Sequence, residues 1–87
     1  MAEVKIYTTP FCPYCLRAKS LLSRKGVAFE EIDVANKPEM RRWLQEITGR
    51  RTVPQIFING RSVGGFDDIS ALDRRGELDG LLAQTVS

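Results

Sequence analysis

The stretch Val4-Lys5-Ile6-Tyr7-Thr8-Thr9-Pro10-Phe11-Cys12-Pro13-Tyr14-Cys15 decides how this chain is read. Its first five residues alternate apolar and polar and are rich in β-branched and aromatic side chains, the pattern of a strand. Pro10 cannot donate to a ladder, so Thr9-Pro10-Phe11 is a loop. Cys12 then takes a helix cap and Pro13 the first helical position, where a missing N–H is no loss. A cysteine at that junction faces the free N–H groups of the first turn, which together with the helix dipole favour a thiolate. Cys15 lies one turn further in, on the packed side. The two sulfurs can close a disulfide or open to a dithiol.

Working outward, the helix runs from Pro13 to about Lys25. Cys15, Ala18, Leu21 and Leu22 share one face, while Arg17, Lys19, Ser20, Ser23 and Arg24 fall largely elsewhere. Gly26 is a natural cap at its end. Val27 to Val34 reads as a second strand with Val27, Phe29 and Ile32 inward. The Glu30-Glu31 doublet breaks the alternation, so a bulge or a strand end is expected there. Asn36-Lys37-Pro38-Glu39 supplies a capping residue, an early proline and an acid, and opens a second helix. Met40, Trp43 or Leu44, and Ile47 form its buried stripe, and Gly49 ends it.

After the basic loop Arg50-Arg51-Thr52, Val53 to Ile58 reads as a third strand. Asn59-Gly60 is a type I′ hairpin signal, and Arg61 to Gly64 returns antiparallel. Gly65-Phe66-Asp67-Asp68 leads into a third helix capped by Asp67 or Asp68, with Ile69 and Leu72 inward. Gly76 interrupts it, Leu78, Leu81 and Leu82 form a last short amphipathic turn, and Gln84 to Ser87 is expected to fray. The order β-α-β-α-β-β-α predicts an α/β fold, a four-stranded mixed sheet with helices on both faces. With no linker, repeat or low-complexity segment, residues 1–87 read as a single domain.

Composition narrows the chemistry. The 13 basic and 11 acidic residues of the 87 nearly cancel, and a net charge of +2 makes no case for nucleic acid or a membrane. Arg41-Arg42 and Arg50-Arg51 lack interleaved aromatics and read as solvated. There is no histidine, which removes a Cys-His nucleophilic pair and any His-ligated metal. Two cysteines cannot close a four-thiolate zinc site within one chain. The first residues carry no apolar core or cleavage pattern, and no stretch has the length of a membrane span, so the expected location is the cytoplasm. Disulfides there are usually transient, which favours a working pair over a structural staple.

Cys12-Pro13-Tyr14-Cys15, Thr52-Val53-Pro54 and Gly64-Gly65-Phe66-Asp67-Asp68 together resemble the glutaredoxins, most of all the short bacterial dithiol type. The likeness runs from Val4 to Leu82. It implies the thioredoxin fold, strand order 2-1-3-4 with strand 4 antiparallel to strand 3, and a cis peptide before Pro54. Alone, an X-Pro bond is cis in only about 5–6% of cases.

The resemblance further implies a glutathione-dependent thiol–disulfide oxidoreductase, with Cys12 as nucleophile and Cys15 as resolving thiol. Tyr14 would line the glutathione groove. Thr52, Val53 and Pro54 would pair with the cysteinyl part through the Val53 backbone, and Gly65, Phe66 and Asp67, with Asp68 in the same turn, would hold the γ-glutamyl end. Where the family often has a lysine three positions before the first cysteine, this chain has Thr9, and Phe11 replaces a common threonine. One of the four arginines Arg41, Arg42, Arg50 and Arg51, with Arg51 first, is then expected to meet the glycyl carboxylate. Phe66 stands where many relatives have a cysteine or another small residue.

The substrates implied are protein–glutathione mixed disulfides and protein disulfides, ribonucleotide reductase being a compatible target, with glutathione reductase feeding the system. No permanently bound cofactor and a monomer are expected. Two rival readings differ in class: a homodimer holding an iron–sulfur cluster between two Cys12 thiolates and two glutathiones, and a redoxin reduced by thioredoxin reductase. Pro13 argues against the first, because cluster-binding relatives usually carry a smaller residue there.

Overall fold

A computed structural model of the chain describes residues 2–84. Alternation along the first strand, β1 (Val4–Thr8), sends Val4 and Ile6 to one face of a sheet and Tyr7 to the other. β1 pairs in parallel with β2 (Glu30–Asp33) and antiparallel with β3 (Gln55–Ile58), which pairs antiparallel with β4 (Arg61–Gly64). The order is β2-β1-β3-β4, as expected. The helices are α1 (Pro13–Arg24), α2 (Pro38–Thr48), α3 (Phe66–Arg74) and α4 (Leu78–Ala83).

The two faces are unequal. On one, Val4, Ile6, Ile56 and Ile58 meet Ala18, Leu21 and Leu22 of α1, Ile69 of α3, and Leu78 and Leu82 of α4, all buried. On the other, Tyr7 and Phe57 meet Val34 and Leu44, with Ile32, Met40 and Val53 partly covered. The choice between Trp43 and Leu44 resolves to Leu44. Trp43 stacks on Phe57 (centroids 6.2 Å apart) yet keeps 44% of its surface exposed, and Ile47 keeps 48%. Ile47 is therefore not part of a buried stripe.

Other boundaries differ for local reasons. β2 begins only at Glu30, and its register with β1 is regular through the Glu30-Glu31 doublet. It is an edge strand, so both acids reach water without a bulge. Val27 and Phe29 pack against the larger core from the loop before it. Lys37, with no side-chain bond, stands at the cap of α2 in place of Asn36. Gly49 ends that helix in the left-handed conformation at φ 74°. Asn59 (φ 54°) and Gly60 (φ 78°) make the expected hairpin turn. A register shift then bulges β4 beside Ile56 and leaves Gly64 at φ 100°. Gln84 is extended after α4; the rest of the tail expected to fray, residues 85–87, lies outside the described residues.

Candidate active site

β1 ends at Thr8, and the loop that follows brings Cys12 to the cap of α1 in an extended conformation. The Cys15 N–H donates to Cys12 Sγ at 3.3 Å, so the sulfur takes one of the donors that a helix start leaves unpaired. On its other side Cys12 Sγ donates to the Val53 carbonyl oxygen at 3.8 Å. The peptide bond between Val53 and Pro54 is cis. Cys12 is partly exposed, whereas Cys15 is 2% exposed. Burial first, and the contact with Cys12 second, push the Cys15 thiol up to about 12, against a backbone hydrogen bond at Thr9 and the charge of Lys19. The two sulfurs thus differ in access: one at the surface, one packed behind it.

Beside Cys12 runs a groove of about 300 Å³ lined by Tyr14, Arg50, Thr52, Val53, Pro54, Gly65, Phe66, Asp67 and Asp68. Every groove residue expected from sequence is present except Arg51. That side chain is exposed and off the groove, and Arg50 lines it instead. Arg41, another candidate cation, donates to the Arg51 carbonyl at 3.4 Å. Arg50 is itself engaged, its Nη1 lying 2.6 Å from Asp68 Oδ2.

The same carboxylate accepts the Gly65 N–H at 2.9 Å. Gly65 occupies the cap of α3, so Asp68 reaches back from the first turn to satisfy it, and Asp67 does not cap. Arg50 foremost, with the Gly65 N–H, holds the Asp68 carboxyl below the usual carboxylate range. Tyr14 and Phe66 lie 6.3 Å apart across the groove, and the Arg17 guanidinium sits 5.3 Å from the Tyr14 ring centre. A larger hollow of about 570 Å³ between β4 and α3–α4 contains neither cysteine.

The glutaredoxin family model matches residues 4–63. The chain belongs to the glutaredoxin family. It is 57% identical over 83 residues to a glutaredoxin of Pseudomonas aeruginosa, covering 95% of this chain and 99% of that protein. To glutaredoxin 3 of Escherichia coli it is 54% identical over 82 residues, covering 94% and 99%. Its backbone superposes on a buckwheat glutaredoxin–glutathione complex with a TM-score of 0.89 at 30% identity, covering 93% of this chain and 76% of that one. Glutaredoxins are glutathione-dependent thiol–disulfide oxidoreductases with glutathione as co-substrate, and this is the chain's activity.

Sequence reasoning missed two features of this glutaredoxin. One is which arginine enters the groove: of the four candidates Arg51 stood first, and Arg50 lines it. The other is a second, smaller cleft on the far side of Cys12, of about 220 Å³, whose lining includes Cys12, Cys15, Phe11, Lys19, Glu31 and Asp33. There Glu31 Oε2 accepts from Thr8 Oγ1 at 2.8 Å and from Lys19 Nζ at 2.9 Å. Lys19 follows Cys15 by four residues, the spacing of helical neighbours. That spacing was the available signal.

Proposed function

We propose that Cys12 is the attacking thiolate and Cys15 the resolving thiol of a dithiol glutaredoxin acting on protein–glutathione mixed disulfides and protein disulfides. The observation that carries this is Cys12 Sγ: it accepts a first-turn N–H at 3.3 Å while sitting 3.8 Å from Val53 O at the edge of the groove. Cys12 attacks the glutathione sulfur of the mixed disulfide, and the protein thiolate leaves. A second glutathione then releases the first as glutathione disulfide, or Cys15 displaces it and closes the Cys12–Cys15 disulfide. With a protein disulfide, Cys15 releases the bound protein thiol by the same displacement.

Glutathione binds in the groove as a short peptide. The Val53 backbone and Thr52 meet its cysteinyl part beside Pro54, and Tyr14 and Phe66 cover it from both walls. Gly65, Phe66, Asp67 and Asp68 hold the γ-glutamyl end, whose carboxylate suits the N–H groups at the start of α3 and whose ammonium suits an aspartate. Arg50, the groove-lining arginine, rather than Arg51, meets the glycyl carboxylate when it leaves Asp68. The protein works as one domain and as a monomer in the cytoplasm, without a resident cofactor; among the described residues, no helix is long and apolar enough to cross a membrane.

Replacing each cysteine by serine tests the roles. Cys12→Ser abolishes turnover of every substrate. Cys15→Ser keeps turnover of a small glutathione mixed disulfide and loses the reduction of protein disulfides. Activity surviving in Cys12→Ser overturns the assignment.

A further inference from the structure

We propose that Lys19, anchored by Glu31 in the cleft behind Cys12, is a positioning residue for the resolving step, its cation drawing Cys15 into the thiolate form. The proposal rests on the role of Cys15 as the resolving thiol. When Cys12 is tied up in a mixed disulfide, Cys15 must lose its proton to water in the cleft. Its thiolate then attacks the Cys12 sulfur. The Cys12–Cys15 bond forms, the bond from Cys12 to the partner sulfur breaks, and the partner leaves as a thiolate that takes up a proton from solvent. Two thiol groups are oxidised to one disulfide as the substrate disulfide is reduced.

The difficulty is the first step, because Cys15 is buried and held up to about 12. Two of the influences that raise it, the hydrogen bond and the charge of Cys12, depend on a free Cys12 and vanish in the mixed disulfide. What remains is burial against the Thr9 backbone bond and Lys19. The protein has no histidine to act as base.

The charged groups around this cleft are Lys19 from α1 and Glu31 and Asp33 from β2. Lys19 is the one cation among them and sits one helical turn below the sulfur. Left free, a lysine would extend into water. Here its Nζ is fixed 2.9 Å from Glu31, and Glu31 is fixed in turn by Thr8, whose side chain is buried at the end of β1.

The test follows the release of the partner thiol from a preformed Cys12 mixed disulfide by stopped flow, across pH. Loss of a cation from the cleft raises the thiol, and Lys19 is the last in rank of the influences on Cys15. For a fall of about tenfold in the thiolate population, each thiolate becomes about threefold more nucleophilic, so the step slows about threefold. Lys19→Gln is therefore expected to resolve about threefold more slowly at neutral pH, with the rising arm of its pH profile moved upward. Lys19→Arg restores both. In a Cys15→Ser background, Lys19→Gln leaves turnover of a small glutathione mixed disulfide within about twofold.

An unmoved pH profile in Lys19→Gln overturns the proposal, as does an equal loss in the Cys15→Ser background. If Cys15→Ser alone still reduces a protein disulfide, the failure lies instead with the role given to Cys15.

Discussion

Two hollows flank the first turn of α1, and each contains a carboxylate held by a cation. In the groove it is Asp68 with Arg50, 2.6 Å apart; in the cleft behind it is Glu31 with Lys19, 2.9 Å apart. The pairs are alike in chemistry and in partial exposure, yet their surroundings differ. Asp68 also accepts a backbone N–H at a helix start, in a groove walled by Gly65, Pro54 and two aromatic rings. Glu31 stands on an edge strand and holds Lys19 in a cleft that the buried Cys15 also lines. In the roles proposed above, one pair shapes a binding surface and the other sets charge beside a reacting sulfur. An ion pair's work is decided by what it abuts, since the pair itself is worth only about 0.2–1 kcal/mol at an exposed site.

The strongest way to break this contrast is to disturb the groove's pair through the backbone. Gly64 stands at φ 100°, and a Cβ there would fall within 2.6 Å of the Asp68 carboxyl carbon. Gly64→Ala must both strain the chain and displace the Asp68 side chain from Gly65. The combined cost is expected to be about 2–3 kcal/mol, read from the midpoint of denaturant unfolding, with glutathione affinity lost as well. Wild-type stability in Gly64→Ala would show that the Asp68 contact carries no weight.

A smaller effect separates binding from folding. Asp68→Asn keeps an acceptor for the Gly65 N–H but removes the charge that meets Arg50 and, as proposed, the ligand's ammonium. The expected rise in KM for glutathione is about tenfold, equivalent to about 1.4 kcal/mol, with kcat little changed. If KM stays put while thermal stability falls, Asp68 is a cap and nothing more.

How far these hollows could be foreseen follows from how local their causes are. Cys12 at the cap, Pro13 behind it and the Asn59-Gly60 turn are dictated within a few residues, and the structure has each as expected. The extents of β1 and β4 also agree, because the patterns and turn residues that bound them are local. The misses arise where the path of a loop or a distant element decides. Whether Arg50 or Arg51 enters the groove depends on how the chain leaves the left-handed Gly49, and neighbouring residues in an extended loop point opposite ways. Trp43 and Ile47 keep to a helical stripe, but the smaller core under α2 has room only for Leu44 to be fully covered. Lys19 looked like one more solvated charge because its partner, Glu31, comes from another element, 12 residues on.

The smallest effect compares the two carboxylates directly, by acid. Lys19 foremost, then Thr8, holds Glu31 below the usual carboxylate range, as Arg50 and the Gly65 N–H hold Asp68. A carboxyl whose folded value is depressed contributes stability that is present above its unfolded value, near pH 4, and is lost as pH falls through the folded one. Both contributions therefore stand at neutral pH and disappear in the acid range below about pH 4. With both groups partly in water, each is worth only a few tenths of a kcal/mol. Unfolding midpoints measured from pH 5 down to pH 2 should flatten slightly in Glu31→Gln and more in Asp68→Asn, because only Asp68 also answers a backbone donor at a helix start. A larger flattening in Glu31→Gln would reverse the comparison and make the cleft behind Cys12 the more firmly built of the two.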